Sequence, residues 1–224
     1  MQSQSFKIMV IEQMINLDSS LLLEINSLHN TFLDTFLWNV SSKYIWIPMY
    51  IFMVFLLAKR YGNRCLWLLL AIGLAFGLSD WLSHLLKHLI CRPRPSRDAA
   101  LSQIVHIVNG YRGGKYGFPS SHAADTFSLA LLFSLVWRNW RTTLPLLLWV
   151  GLNCWSRMYL GVHYPGDILA GLLLATVIVL PVYFILLKTN VIKKDETPVS
   201  PHYLEYGLLI LFSVLLIVCC FPVL

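Results

Sequence analysis

Charged residues are scarce in this sequence. Only 12% of its 224 residues are Asp, Glu, Lys or Arg, while 57% are hydrophobic. About a quarter of the residues of a soluble domain are charged, so this composition excludes an ordinary soluble globular protein. A backbone that crosses lipid must satisfy its own hydrogen bonds, which a helix does within one segment. We therefore predict an all-α integral membrane helical bundle without a sheet.

Cysteine is also sparse, and the five cysteines show no metal-ligand spacing. Four of them lie in apolar runs, where cysteine behaves as a small hydrophobic residue. Neither a disulfide framework nor a zinc site is expected. Residues 1–17 lack a basic start followed by an apolar core, so a cleavable signal peptide is not indicated.

Apolar runs long enough to cross a bilayer, or nearly so, recur along the chain. We predict about six transmembrane helices, near residues 43–59, 65–86, 121–137, 143–159, 166–187 and 203–222. Between residues 19 and 42, polar side chains interrupt an apolar helical pattern, which favours an amphipathic interfacial or re-entrant segment over a seventh span. The predicted organisation is an N-terminal interfacial segment (1–42), a transmembrane catalytic core (43–188), a solvated linker (189–202) and a C-terminal transmembrane helix (203–224).

Basic residues occur in loops on both sides of this predicted bundle. On one side these basic residues have no evident functional role, so the positive-inside rule predicts that side to be cytoplasmic. These residues are Lys59, Arg60, Arg64, Arg138, Arg141, Lys188, Lys193 and Lys194. The basic residues of the opposite side, from Lys87 to Arg157, are assigned a different cause, substrate binding.

Strong cations and histidines stand at the ends of the apolar segments. Lys87 closes the second span, and the prolines around Arg94 end that helix. A charge at mid-bilayer costs about 2.5 to 3.5 kcal/mol on insertion scales and is usually functional. The third span begins with Pro119-Ser120-Ser121-His122, where free backbone N–H groups favour phosphate, although Ser120 could serve only as an N-cap.

The junction of the fourth and fifth spans carries a histidine beside an aspartate. Arg157 ends the fourth span, and Pro165 suits the first position of the next helix. His163 then lies just outside that helix and Asp167 within its first turn, close enough to accept a hydrogen bond from the imidazole. This spacing is typical of a reactive base and the group that orients it.

Two further polar features have alternative interpretations. Asp80, Ser83, His84 and Lys87 share one helical face, which either points into a site or forms a polar seam between helices. Asp125 lies one helical turn after His122 and either influences that histidine or makes a buried structural hydrogen bond.

Three groups of residues in order resemble the signature motifs of the type 2 phosphatidic acid phosphatase (PAP2) family. They are Lys87 with Arg94-Pro95, Pro119-Ser120-Ser121-His122, and Ser156-Arg157 with His163 and Asp167. The match covers about residues 65–187. The family usually has glycine where this chain has Ser121, so the phosphate contact at that position differs.

The resemblance implies a role for each matching residue. His163 would be the nucleophile, Asp167 would orient it, and His122 would move the proton. Phosphate would bind to Lys87, Arg94, Ser120, Ser121 and Arg157. Neither a metal nor a cofactor is implied.

The function implied is that of a membrane lipid phosphatase or diphosphatase. Similarity to small bacterial members favours undecaprenyl diphosphate as substrate, and the alternatives are a lipid A phosphate, phosphatidylglycerophosphate and phosphatidic acid. Two other classes of function stay open. A vanadate-dependent haloperoxidase shares these motifs but is soluble, which the lipid-length segments speak against, and a non-catalytic lipid-binding or scaffold protein would not need both His122 and the His163–Asp167 pair. Expected partners are a phosphorylated lipid and membrane lipids, with no nucleic acid. We expect a multi-pass protein of the bacterial inner membrane whose active site faces the periplasm or outside.

Overall fold

Eight α-helices form the part of the chain that the structure, a computed structural model, describes: residues 2–193 and 202–222. They are α1 (Gln2–Ser27), α2 (Thr31–Val40), α3 (Ile47–Tyr61), α4 (Cys65–Ile90), α5 (Ser121–Trp137), α6 (Trp140–Tyr159), α7 (Pro165–Lys188) and α8 (His202–Cys219). Within these residues there is no β-strand, and an isolated backbone bridge joins Pro93 to Tyr116. The predicted all-α fold is confirmed.

The six predicted spans coincide with α3 to α8. Two stretches, Ile47–Ile90 and Pro165–Lys188, are long and apolar enough to cross a bilayer, with mean hydropathies of 1.8 and 2.6. Tyr206–Cys219, within α8, is apolar but shorter. Helix α5 has only 17 residues, and α6 includes Arg141 and Arg157, so these two helices show the length and apolar composition of a membrane-spanning helix less clearly.

The polar-interrupted segment at residues 19–42 forms parts of two helices. Helix α1 begins well before the predicted segment, and α2 follows after a short break. Asn30 caps α2, because its side chain accepts the N–H of Leu33 at 3.0 Å. The interfacial location of this segment stays a prediction.

Both N-terminal helices dock on the rest of the bundle. From α1, the Asn26 amide donates to the carbonyls of His106 (3.0 Å) and Tyr159 (2.6 Å). From α2, the Asn39 amide donates to the carbonyl of Cys219 at 3.2 Å, where α8 ends. Buried backbone carbonyls need such partners, so these amides fix where the N-terminal helices lie.

Helix α5 is central and packs against α4, α6 and α7. Where α5 begins, Gly171 of α7 allows a close approach, because a Cβ there would lie 2.6 Å from the carbonyl oxygen of Ser120. The N–H of Ser120 in turn donates to the carbonyl of Asp167 at 2.9 Å. This contact holds the start of α5 beside the first turn of α7, so two of the sequence motifs become neighbours.

The predicted linker is described only in part. Residues 189–193 leave the end of α7 in a turn, and residues 194–201 lie outside the described residues. The predicted domain boundaries therefore stay predictions.

Candidate active site

The exit of α4 delivers the first motif to one end of the bundle. Lys87 lies in the last turn of α4, and the chain leaves through Cys91 in a left-handed conformation (φ 54°). Pro93 and Pro95 then prevent the helix from continuing. Arg94, between them, is 8% exposed, and its Nε donates to the carbonyl of Tyr116 at 3.1 Å. The prolines thus end the helix and let the chain place the buried guanidinium of Arg94 at this end of the bundle.

The start of α5 presents the second motif. Ser120 is the N-cap, and its Oγ accepts the N–H of Ala123 at 3.4 Å. The preceding Phe118–Pro119 peptide is cis. Ser121, at the family's usual glycine position, accepts a hydrogen bond from Nζ of Lys87. The extra hydroxyl therefore holds the lysine at the first turn of α5, where free N–H groups favour an anion.

Arg157, at the end of α6, is 2% exposed. One of its terminal nitrogens, Nη1, donates to Oγ of Ser41, and Nη2 donates to the hydroxyl of Tyr111 at 3.2 Å. Burial opposes ionisation of Tyr111, but the charge and hydrogen bond of Arg157 together with the charges of Arg94 and Lys43 lower the pKa of that phenol. Both partners of the guanidinium are neutral hydroxyls, so its charge remains available.

His163 lies between Arg94 and Asp167. Its Nδ1 is 3.4 Å from Oδ2 of Asp167, and its Nε2 is 2.9 Å from Nη1 of Arg94. The contact to Asp167 is long because the same Oδ2 also accepts the N–H of Tyr164 at 3.0 Å. Burial, followed by the charges of Arg94, Arg157 and Lys87, holds the pKa of His163 well below its ordinary value. The imidazole is therefore neutral near pH 7.

Two glycines leave room for this arrangement. Gly113 has φ +64°, and a Cβ there would lie 3.0 Å from Nη1 of Arg94. A Cβ on Gly117 would lie 2.9 Å from Oδ2 of Asp167. Only glycine permits the backbone of the loop before α5 to pass so close to these two side chains.

A cavity of about 400 Å³ joins these elements. His163 and His122 both line it, and His122 is partly exposed there on the first turn of α5. Five cations also line it, namely Lys43, Lys87, Arg94, Lys115 and Arg157. The pKa of Arg94 is lowered to about 10, by burial and then by Arg157, so this guanidinium stays charged at neutral pH. The cavity suits a multiply charged anion.

Every predicted site residue lies at this end of the bundle. Ser120 is fully buried and acts through the backbone start of α5, whereas the remaining residues line the cavity or contact a residue that does. Of the polar face on α4, Ser83 is buried and donates to the carbonyl of Ser79 at 2.6 Å. The side chains of Asp80 and His84 are instead half exposed, 3.6 Å apart, and line the cavity.

Asp125 is buried at the edge of the cavity. It is 3% exposed, and neither carboxylate oxygen has a hydrogen-bond partner among the described residues. It lines both the cationic cavity and a neighbouring apolar cavity of about 270 Å³. The described residues thus provide no structural hydrogen bond for Asp125, while its influence on His122 stays a prediction.

Some lining residues carry no sequence signal. Lys43 follows α2 and stands outside all three motifs, yet it lines the cavity. Tyr111 lies in the long loop between α4 and α5. Their positions depend on how distant segments pack together, and only an excess of basic and aromatic residues near segment ends hinted at them. Among the described residues, no group of three or more His, Cys, Asp or Glu side chains is placed to hold a metal ion.

Comparison with known sequences decides the family. The sequence model of the PAP2 superfamily matches residues 66–191, more than half of the chain. The chain belongs to the PAP2 superfamily. The sequence resemblance is therefore confirmed.

Relatives of this PAP2 protein include two lipid A 4'-phosphatases. The protein of Bacteroides thetaiotaomicron is 36% identical over 193 residues, which are 85% of this chain and 86% of that protein. The protein of Porphyromonas gingivalis is 35% identical over 170 residues, 75% of this chain and 72% of that protein. The putative undecaprenyl-diphosphatase YbjG of Escherichia coli is 48% identical over 56 residues, which cover 25% of this chain and 28% of that protein.

Solved structures share the fold. Aquifex aeolicus LpxE superposes with a TM-score of 0.59 and 26% identity, over 74% of this chain and 94% of that one. The PAP2-type phosphatidylglycerolphosphate phosphatase of Bacillus subtilis gives a TM-score of 0.61 at 19% identity, over 82% of this chain and 90% of that one, which shows the fold alone. This PAP2 protein is a membrane lipid phosphatase, a hydrolase.

Proposed function

We propose that this PAP2 protein removes the 4'-phosphate of lipid A through a phosphohistidine intermediate. The observation that carries the reaction is the position of His163, held between Asp167 and Arg94 on the wall of a cationic cavity. The substrate rests on the two relatives named as lipid A 4'-phosphatases, which align over most of both chains.

Undecaprenyl diphosphate, the substrate favoured from the sequence, has weaker support. The relative named for it aligns over only 56 residues. The comparisons therefore favour lipid A, which was an alternative on the sequence alone. Phosphatidylglycerophosphate is named only for a structural neighbour at 19% identity, which supports the fold and not the substrate.

The first chemical step follows from the contacts of His163. Nε2 attacks phosphorus, so that an N–P bond forms as the P–O bond to the sugar breaks. Nδ1–H faces the Asp167 carboxylate, which fixes the tautomer and stabilises the imidazolium that forms. His122, which lines the same cavity, gives a proton from its protonated form to the leaving oxygen.

The second step reverses the proton transfer. His122, now neutral, takes a proton from water as that water attacks phosphorus and the N–P bond breaks. The products are inorganic phosphate and a regenerated His163. Each histidine is thus used twice, and proton and charge return to the starting state.

Charge that spreads over the phosphoryl oxygens is met by buried cations. Lys87, Arg94 and Arg157 bind these oxygens, together with the Ser121 hydroxyl and the N–H groups of the first turn of α5 that Ser120 caps. Such preorganised donors act where water is scarce and need no rearrangement at the moment of reaction. A metal is not required in this mechanism.

Substrate preference is tested with purified full-length protein in mixed lipid and detergent. Phosphate release is measured for lipid A, undecaprenyl diphosphate, phosphatidylglycerophosphate and phosphatidic acid, with His163→Ala as the control for contaminating phosphatase. We expect lipid A to have the highest kcat/KM and its product to have lost the 4'-phosphate by mass spectrometry. A higher kcat/KM for undecaprenyl diphosphate would overturn the substrate assignment.

The site faces the periplasm of the inner membrane in this proposal, because the basic loops at the other end of the bundle are assigned to the cytoplasm. A cysteine placed at Arg112 should react with a membrane-impermeant thiol reagent once the outer envelope is passed, whereas one at Asn63 should not. The reverse pattern would place catalysis at the cytoplasmic face.

A further inference from the structure

An acidic residue of α1 reaches the catalytic end of the bundle. Oδ2 of Asp18 accepts a hydrogen bond from Nη2 of Arg92 at 2.6 Å. Oδ1 of the same carboxylate accepts the N–H of Gly166 at 2.7 Å. Asp18 lies outside residues 66–191, the part that matches the PAP2 model. Neither Asp18 nor Arg92 belongs to the three sequence motifs.

Arg92 connects this carboxylate to Asp167. Its Nη1 donates to Oδ1 of Asp167 at 2.9 Å, and its guanidinium lies 4.0 Å from the ring centroid of Tyr164. The side chain of Asp167 is 0% exposed, while those of Arg92 and Asp18 are 25% and 14% exposed. One planar guanidinium therefore bridges two carboxylates, with one terminal nitrogen for each, a geometry that lysine cannot reproduce.

The contact has little freedom on either side. A Cβ at Gly166 would lie 2.9 Å from Oδ2 of Asp18, and a Cβ at Gly117 would lie 2.9 Å from Oδ2 of Asp167. The N–H of Gly166 is among the first amides of α7, which have no partner within the helix, so Asp18 satisfies one of them from another helix. Arg92 itself follows the left-handed Cys91 in a connecting segment, where without Asp18 its second nitrogen would lose its anchor.

We propose that Asp18 is a positioning residue for catalysis. It holds Arg92 against Oδ1 of Asp167, and this fixes the plane of the carboxylate whose other oxygen faces Nδ1 of His163. The inference rests on the proposed function, which makes His163 the nucleophile. The N-terminal helix is thereby part of the apparatus that orients the reactive imidazole.

Oδ2 of Asp167 is shared by two contacts, which explains why the support from Arg92 matters. Oδ2 of Asp167 serves both His163 Nδ1 at 3.4 Å and the Tyr164 N–H at 3.0 Å. A rotation of the carboxylate that improves one contact weakens the other. Arg92 on Oδ1 opposes that rotation, because a charge-assisted hydrogen bond is about twice as strong as a neutral one.

The test uses Asp18→Asn in the full-length enzyme. Asparagine keeps the size and can still accept the Gly166 N–H, but it lacks the charge that holds Arg92. We expect kcat and the rate of phosphohistidine formation to fall about tenfold, the low end of losses seen when a partner behind a ligating histidine is removed. KM should change less than twofold, because the phosphate-binding cations are untouched.

Glu24→Gln is the matched control, since Glu24 is an exposed acidic residue of the same helix and its replacement also removes one negative charge. We expect its kcat to stay within twofold of wild type. In an Asp167→Asn background, Asp18→Asn should cause no further loss, because residues that act through one another are not additive. Arg92→Lys should reproduce the loss even if Asp18→Asn folds poorly.

Three results would overturn the inference alone: wild-type kcat for Asp18→Asn, an equal loss for Glu24→Gln, or a full additional loss in the Asp167→Asn background. In each of them the wild-type enzyme still forms phosphohistidine. If the wild-type enzyme forms none, the proposed function fails, and the role of Asp18 fails with it.

Discussion

Nη1 of Arg94 lies 2.9 Å from Nε2 of His163, and this contact determines the tautomer of the imidazole. A guanidinium carries only donors, so Nε2 must offer its lone pair. The ring proton then sits on Nδ1, which faces Asp167. Arg94 therefore favours a neutral imidazole whose Nε2 lone pair points at a cation. In the proposed mechanism, the phosphoryl oxygen of the substrate takes over this donor.

The first prediction concerns pH. Burial and the surrounding cations lower the pKa of His163 below its ordinary 6.5. The nucleophile must be neutral. As the pH is lowered, the fall in kcat/KM caused by protonation of His163 should therefore begin well below pH 6.5. Arg94→Gln removes one of the lowering charges and should move that acid limb to higher pH. The kcat/KM of wild type and of Arg94→Gln is measured from pH 4 to 8 with the same lipid, so that titration of the substrate affects both profiles equally. Identical acid limbs would contradict the prediction.

A second prediction tests the nucleophile. His163→Ala should reduce phosphate release to background while leaving the protein folded, because the attacking nitrogen is lost. Asp167→Asn keeps that nitrogen and should retain measurable activity. The loss of kcat should still be large, since replacing the aspartate of a Ser-His-Asp triad by asparagine costs about ten-thousandfold. Lipid binding by both variants is the control. Activity of His163→Ala within tenfold of wild type would remove the assignment.

The role of His122 depends on the leaving group. A general acid matters most when the leaving oxygen is a poor one, so His122→Gln should cost about a hundredfold to ten-thousandfold with a sugar phosphate and less with an aryl phosphate. With the aryl phosphate, dephosphorylation should become slow and phosphohistidine should accumulate. Rapid-quench measurement with both substrates checks this. Equal losses without a trapped intermediate would mean that His122 transfers no proton.

Lys43 gives a fourth prediction. It is exposed at the cavity and contributes charge without lying in a motif. Lys43→Ala should raise KM for the anionic lipid about fivefold at low salt with little change in kcat, because exposed charge pairs are weak and screened. Lys59→Ala, at the other end of α3, is the control. An unchanged KM would exclude Lys43 from binding.

Periodicity and motif spacing predicted the helices and the grouping of the motif residues. The starts of α5 and α7 could be predicted because Ser120 and Pro165 are strong local signals of a helix start. Lys43 and Asp18 could not be found in this way, since their contacts depend on tertiary packing across long separations in the chain. Asp125 was noticed, but local spacing could not show that its carboxylate has no hydrogen-bond partner within residues 2–193 and 202–222.

The neutral partners of the three buried cations have a consequence for turnover. Lys87 rests on a serine hydroxyl, Arg157 on hydroxyls of Ser41 and Tyr111, and Arg94 on carbonyls and an imidazole. Asp80 and Asp125 also line the cavity, but among the described residues neither forms a salt bridge with these three cations. The phosphate of each lipid would therefore be their direct ionic partner. Inorganic phosphate, the last product, carries the same charge, and it is therefore a competitor that must leave the cavity before another lipid headgroup can enter.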